Sequence, residues 1–297
     1  MSAIRKILVV VDPTAAAPQA AVTKGGALAR RLGAEVELLA CQRITGHERV
    51  ESDERELALL EKLGTPLIAG GVHVDKSAIR GTCLHRALLD HIKACGADLV
   101  VKGTHRHRLS SRLFCRSTDW HLINDCPVPI LLTKSRDWDS FPVVLAAIDP
   151  SGEDSESLRR DPKILDTSFR LTQLLEGVLH VVHAYRPHAK VQAIVSGPRS
   201  APLAPAAFMV ETDCEERERQ YAQVSEFVRG CRIHAHHLHV DMGIAATYMP
   251  QIAARAHADI VVIGADSPGS ATPLLHDGVA ARVLDHLPCD LLVLRSG

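Results

Sequence analysis

Aromatic side chains are scarce in this chain of 297 residues: Phe, Trp and Tyr together make up 3% of it. Hydrophobic residues still account for 46%, so a core must be assembled from Leu, Val, Ile and Ala. That mixture suits buried aliphatic strands in α/β layers. Net charge is also lacking, at −1, which removes any global pull toward nucleic acid or a membrane surface. No stretch approaches the ~18 consecutive apolar residues of a membrane span. The opening MSAIRKILVVVD passes directly into a strand-like run, with no apolar h-region and cleavage site. A cytoplasmic location is therefore expected. The 8 cysteines show no paired CxxC spacing and are expected to be thiols.

What is present is a repeat. ADLVVKGTH (97–105) returns as ADIVVIGAD (258–266). Each copy has a small residue, an aspartate, a β-favouring aliphatic run and a glycine. This pattern predicts a buried parallel strand opening into a loop at its C-terminal end, where an open α/β sheet holds ligands. The apolar run 7–11 ends at Asp12-Pro13, and 143–148 ends at Asp149-Pro150, 137 residues later. A helix over 20–32, stopped by Gly33, precedes a strand over 36–40. In the other half a helix over 164–175 precedes a strand over 178–183, with Leu28 above Leu171 at a separation of 143. Gly103 and Gly264, and Pro127 and Pro288, are both 161 apart, so the segment between them aligns without a gap. The last strands fall at 130–133 and 291–294. Each half reads as strands alternating with helices, which predicts a parallel sheet with right-handed crossovers. Two domains are expected, 1–137 and 142–297, joined by a short polar linker. The second gains a long loop at 186–210, rich in proline, that is either functional or disordered.

These features resemble the universal stress protein family in its tandem two-domain type. The likeness rests on the aspartate after the first strand, the xDxVVxG strand, and the apolar last strand after a CP or PCD turn. The run STDWHLINDCPVPILLTK (117–134) resembles the E-like type. The resemblance implies two α/β domains of adenine-nucleotide alpha hydrolase-like fold, each a five-stranded parallel sheet flanked by helices. It also implies that the two fifth strands pair within the chain, making it an intramolecular pseudo-dimer with two sheet edges covered. As an assembly, a monomeric pseudo-dimer or a homodimer is expected.

ATP-binding members of the family carry G-x2-G-x9-G-S/T after the fourth strand. Glycines there let the backbone approach phosphates, and amides at a helix start supply positive potential. The pattern falls on Gly103, Arg106, Arg116 and Ser117 in the first half, with Thr104 and His105 inside the loop. In the second half it falls on Gly264, Ser267, Asp277 and Gly278, followed by Val279, with Asp266 in the loop. Two glycines of the first copy are arginines. Arg106, Arg108, Arg112 and Arg116 either grip an anion, fill the cleft, or form a solvated basic face. Asp277 would oppose a triphosphate unless a metal intervened. The family places the aspartates Asp12 and Asp149 at the ligand cleft; a loop-capping role is the plain alternative. Neither half is expected to bind ATP tightly. The second cleft, lined by small residues, is the better candidate for ATP or another nucleotide-containing small molecule.

Histidine is abundant, at 17 residues. His234, His236, His237 and His239 cluster at the approach to a third strand, where alternation would put His237 and His239 on one face. Neutral imidazoles suit zinc, though this spacing is not diagnostic and a polar edge strand is the plain reading. Cys115, between Arg112 and Arg116, is a candidate reactive thiol or a buried one. No base is placed beside a nucleophile. The expected function is a stress-response protein with nucleotide-binding-type clefts, acting as a ligand-responsive binding or scaffold protein without a dedicated reaction. A weak ATPase or nucleotide hydrolase, and a zinc-binding or redox-sensing protein, are the alternatives.

Overall fold

A computed structural model of the chain describes residues 4–13, 19–43, 52–104, 112–150, 157–185, 206–231, 233–265 and 283–295. The first half runs β1 (Lys6–Val11), α1 (Ala20–Leu32), β2 (Glu35–Arg43), α2 (Ser52–Ala69), β3 (Val74–Gly81), α3 (Leu84–Cys95), β4 (Leu99–Gly103), α4 (Arg112–Asp125) and β5 (Ile130–Thr133). The second runs β6 (Val143–Ala147), α5 (Ser157–Leu175), β7 (Val178–Tyr185), α6 (Ala206–Phe227), β8 (Leu238–Met242), α7 (Ala245–Arg255), β9 (Ile260–Ala265) and β10 (Asp290–Arg295). Among the described residues no helix is long and apolar enough to cross a membrane.

All ten strands form one sheet, in the order β3-β2-β1-β4-β5-β10-β9-β6-β7-β8. Each half is parallel within itself, and β5 pairs with β10 antiparallel. Strand order reverses beside β1 and beside β6, so each half has one switch point at which a crevice opens. The register repeats with the separations seen in the sequence. Ile7 lies opposite Val36 and Leu99; Val144 lies opposite Leu179 and Ile260. Helix ends repeat as well. Gly33 and Gly96 close α1 and α3 with left-handed φ of 65° and 67°, and their counterparts Glu176 and His257 hold φ of 57° and 50° without being glycine.

Apolar side chains are buried on both faces of the sheet. One layer packs Leu28, Leu60, Leu67, Ile164 and Val224 under α1, α2, α5 and α6. The other packs Leu88, Ile92, Leu122, Met249 and Ile252 under α3, α4 and α7. The aspartate of each repeated strand ties its sheet together. Asp98 accepts the backbone N–H groups of Arg5 and Lys6 at 2.8 and 3.0 Å, and Asp259 accepts that of Val143 at 2.9 Å. Its recurrence in the repeat is therefore structural. Two expectations need amendment. Residues 206–210 are not loop: they open α6 directly after Pro205, where no further proline interrupts helical hydrogen bonding, while 186–205 lie outside the described residues. His237 precedes the third strand, in a 3-10 turn over Ala235–His237.

The junction is built around Leu131 and Leu292, which face each other across β5 and β10 and are themselves 161 apart. Reciprocal contacts flank them. Lys134, just after β5, donates from Nζ to the carbonyl of Leu284 at 2.9 Å, and its counterpart Arg295 donates to the carbonyl of Asn124 in α4. One contact has no such twin. Lys24 of α1, only 3% exposed, meets Asp290 of β10, 1% exposed, with Nζ at 2.9 and 2.8 Å from the two carboxylate oxygens. Lys24 also donates to the carbonyls of Lys134 and Arg136, while Asp290 accepts the N–H of Lys134 and the indole N–H of Trp138. Both charges are thus paired and hydrogen-bonded, as burial demands. Lys24→Met strands a buried carboxylate and is expected to destabilise the chain by about 3–5 kcal/mol. The double variant Lys24→Met, Asp290→Leu is expected to recover most of that loss in urea unfolding, since no charge is then left unpaired.

Candidate ligand clefts

The first cleft lies at the C-terminal ends of β1 and β4. Asp12 follows β1, and its backbone is clasped by Gln19, whose Oε1 accepts the Asp12 N–H at 3.0 Å and whose Nε2 donates to the Asp12 carbonyl at 2.8 Å. Gly103 ends β4, and Thr104 donates from its N–H and its hydroxyl to the carbonyl of Thr133, at 2.8 and 3.1 Å. Lys102 reaches from β4 to Asp119 of α4 at 2.7 Å and to the Gly103 carbonyl at 3.0 Å. The thiol of Cys41, at the neighbouring strand end, is pushed up to about 12 by burial. An ammonium already matched by a carboxylate therefore braces this strand end. His105 and Arg106 lie outside the described residues, with Arg108. Ser117, Arg112, Cys115 and Arg116 fall within α4, but their side chains lie outside the described set.

The second cleft has different furniture at the equivalent place. The N–H of Asp149 donates to Asp161 Oδ2 at 2.6 Å. Asp161 is buried at the foot of α5, and that burial raises its carboxyl to about 6, against the pull of the Asp149 N–H and Arg160. Arg160 Nε lies 3.7 Å from Asp161. Its aliphatic stem lies across Gly264: a β-carbon there would sit 2.2 Å from the Arg160 Cδ, so only glycine lets the guanidinium arm cross the end of β9. Below it, buried His183 faces acceptors through both ring nitrogens, the Ile148 carbonyl at 3.1 Å and Gln220 Oε1 at 3.0 Å. Gln220 is oriented in turn by Glu216, to which it donates at 2.8 Å, and Asp149 lies 3.7 Å from His183. Asp266, Ser267, Gly278 and Val279 lie outside the described residues.

Thus the structure places Asp12, Gly103 and Thr104 at one set of strand ends, and Asp149 and Gly264 at the other. Arg160, Asp161, His183 and Gln220 escaped the sequence reading. A signal existed for the first two: at the separation of 143 they stand where the first half has Ala17 and Pro18, so charge has replaced small and neutral residues.

A second kind of polar cluster lies at the opposite ends of the strands. In the first half Glu37 accepts from Ser77 at 2.8 Å, pairs with Lys6 at 3.0 Å and lies 2.7 Å from His91 Nε2. Burial works to raise the Glu37 carboxyl, but the hydrogen bonds from Ser77, Lys6 and His91 outweigh it and hold it below the usual range. Among the described residues Glu37, His91 and Cys95 form the one group whose ligand atoms all lie within 4.8 Å. The ammonium of Lys6 in the same cluster opposes a second cation there. In the second half His180 stands 143 residues after Glu37. Its Nδ1 lies 3.0 Å from His239 Nε2, and its ring stacks on His237 at 4.1 Å. Burial, reinforced by His237, His239 and His236, brings His180 down to about 4; burial lowers His237 and His239 too. His234 and His236 are exposed and stack at 5.5 Å. His180 is the member that the sequence reading missed, because it comes from β7 and the others follow α6.

Comparison with known proteins agrees with this two-fold architecture. The chain is 23% identical over 309 aligned positions to universal stress protein E of Escherichia coli K12, covering 99% of this chain and 95% of that one. Among solved structures it resembles a functionally unknown protein of Pseudomonas aeruginosa PAO1, with TM-score 0.76 and 24% identity over 99% of this chain and 93% of that one. It also resembles a universal stress protein of Archaeoglobus fulgidus, with TM-score 0.64 and 14% identity over 98% and 96%. At these identities the structural likenesses speak for the fold alone. The universal stress protein family model matches residues 3–134 and again 141–295, one match on each side of the linker that carries Trp138, and the chain belongs to that family.

Proposed function

We propose that the chain is a ligand-responsive binding protein without a dedicated reaction, and that its second cleft is the working one. The observation that carries this reading is the contrast between Lys102 and Arg160. In the first half the strand-end cation is already matched by Asp119 at 2.7 Å. At the equivalent place in β9 stands Ile263, and the counterpart of Asp119 in the sequence is Ala280, so the Lys102–Asp119 pair has no sequence equivalent in the second half. Arg160, whose Nε lies 3.7 Å from Asp161, stands at the edge of the second cleft, where a planar guanidinium with five donors can also take an anionic group such as a phosphate. Asp149 is positioned for the hydroxyl or amino groups of a nucleoside. ATP or another nucleotide-containing small molecule fits these groups, held weakly because the phosphate-cradling glycines are incomplete. Occupancy would alter what the fused sheet presents to partners, in a monomeric pseudo-dimer or a homodimer in the cytoplasm.

Titration calorimetry with magnesium ATP is expected to give one site with a dissociation constant no tighter than micromolar. Asp149→Ala, or Gly264→Val, which displaces Arg160, should weaken it at least about tenfold, equivalent to about 1.4 kcal/mol. Asp12→Ala should leave it unchanged. Loss on Asp12→Ala with retention on Asp149→Ala would reverse the assignment of the clefts.

The raised Asp161 carboxyl gives this cleft a pH dependence whose sign follows from linkage. Its folded pKa of about 6 exceeds the ordinary 3.8, so its contribution to stability is fully present below pH 3.8 and is lost as pH rises through 6. Asp161→Asn should flatten the stability profile between about pH 4 and 6 relative to the parent, in urea midpoints measured across that range.

A second reading, zinc binding, is favoured by the paired ring nitrogens of His180 and His239, with the His237 ring stacked on His180. Two imidazole nitrogens 3.0 Å apart approximate the separation of neighbouring ligands on a tetrahedral ion, and turning the His237 ring would add a third. Chelator-washed protein dialysed against zinc should retain ~1 ion per chain, falling toward zero in His180→Ala, His239→Ala. Retention unaffected by that double variant would remove the site.

A further inference from the structure

The junction carries a cavity that its pseudo-symmetry explains. The pseudo-twofold relating the halves passes between Leu131 and Leu292. On one side of it Lys24, Asp290 and Trp138 fill the space beneath α1, the indole donating to Asp290 at 2.7 Å and its ring 5.5 Å from the Lys24 ammonium. By the separations of 143 and 161, the counterparts on the other side are Thr167 for Lys24 and Pro129 for Asp290. Two long, charged, mutually bonded side chains are thus replaced by a short hydroxyl and a ring with no donor. A cavity of about 200 Å³ runs from Thr167 and Pro129 back to the axis itself, where the counterparts Leu28 of α1 and Leu171 of α5 wall it above the floor residues Leu131 and Leu292.

Its polarity is as telling as its volume. Thr167 lines the cavity, is 2% exposed, and its hydroxyl has no hydrogen-bond partner among the described residues. A buried hydroxyl left in that state is costly, and native structures seldom leave one so. The cations near the rim are engaged elsewhere. Arg170 pairs with Asp166 at 2.9 Å, and Arg31 donates to the Leu174 carbonyl at 2.8 Å, bridging α1 to α5. Nothing inside calls for a charged ligand. Dry apolar cavities of about 150 Å³ accept a molecule the size of benzene, so this one has room for a fused bicyclic ring.

We propose that the cavity between α1 and α5 is a binding site for a small neutral apolar molecule of ring size with one hydrogen-bonding group, the class of indole or an alkylphenol. Such a molecule would lie between Leu28 and Leu171 over the seam, and rotation of the buried Thr167 hydroxyl toward the cavity would let it exchange a hydrogen bond there. The site is separate from the strand-end clefts and does not depend on what they bind.

Indole and indene, which share shape and differ in the N–H, test this directly by calorimetry or ligand-observed NMR. Indole should bind the full chain saturably at one site, with a dissociation constant of about 100 μM, an ordinary efficiency for nine heavy atoms. Thr167→Val should weaken indole about tenfold and leave indene unchanged. Leu171→Trp fills the cavity from within and should abolish both while the far-ultraviolet circular dichroism stays that of the parent. Should that variant unfold, Leu28→Phe serves in its place. Absence of saturable indole binding, retention of binding in the folded cavity-filling variant, or equal indole affinity in Thr167→Val would each overturn the proposal.

Discussion

The antiparallel pairing of β5 with β10 is the constraint on which the rest of the structure depends. Each half alone would end in an apolar strand with one side unpaired, a template for association. Pairing Ile130–Leu132 with Leu291–Val293 removes both edges at once and makes one ten-stranded sheet. It also fixes where every cross-half contact can form. Lys134 and Arg295 reach each other's helix-end carbonyls only because the strands preceding them lie side by side. Lys24 reaches Asp290, 266 residues away, because α1 lies over that same seam. The buried ion pair is then a lock set upon the pairing. Leu131 and Leu292 alone would tolerate a shifted register of similar hydrophobicity, but a shift would strand two buried charges.

Around this seam the two halves keep one frame and change the polar groups placed in it. The frame repeats to the residue, down to left-handed helix ends held by glycine in one half and by Glu176 and His257 in the other. The polar groups do not. Where Glu37 gathers Lys6, Ser77 and His91, the second half places His180 against His237 and His239. Where Lys102 meets Asp119, the second half has Ile263 and an arginine from the foot of α5. Buried backbone and aliphatic packing leave little freedom for variation, whereas strand ends and cluster positions can change chemistry without moving the frame.

This division also explains what could be read in the chain beforehand. The separations of 137, 143 and 161 are properties of the frame, and they reproduce the register, since Ile7 with Val36 and Val144 with Leu179 follow from the same alignment. Strand and helix positions were legible for the same reason: buried aliphatic runs and glycine stops are local signals. The aspartate of ADLVV was legible as a repeat but not in its purpose, because the N–H groups that it binds belong to residues 5 and 6. His180 and the Lys24–Asp290 pair were not legible at all, and Arg160 showed only as a charge standing where the first half has Ala17. Each acquires its meaning from a partner on another element, and nothing in the local pattern marks a histidine on a strand as the neighbour of one 59 residues later. The histidine-rich run was visible, but the imidazole that organises it was not.

Fusion of the halves in one chain is what allows the asymmetry. In a homodimer a twofold axis forces every junction residue to appear twice, so a group such as Lys24 would have to find its carboxylate on both sides or on neither. Leu131 and Leu292 satisfy that rule, being the same residue type facing itself, and they sit at the centre of the seam. Away from the centre the rule has lapsed. One side holds Lys24, Asp290 and the linker residue Trp138; the other holds Thr167 and Pro129, from which a cavity runs back to the leucines on the axis. The ion pair needs to form only once to secure the seam, so the opposite side is released from that duty. A space that is lined by leucines and edged by one unpartnered hydroxyl is what remains when half of a symmetric lock is no longer required.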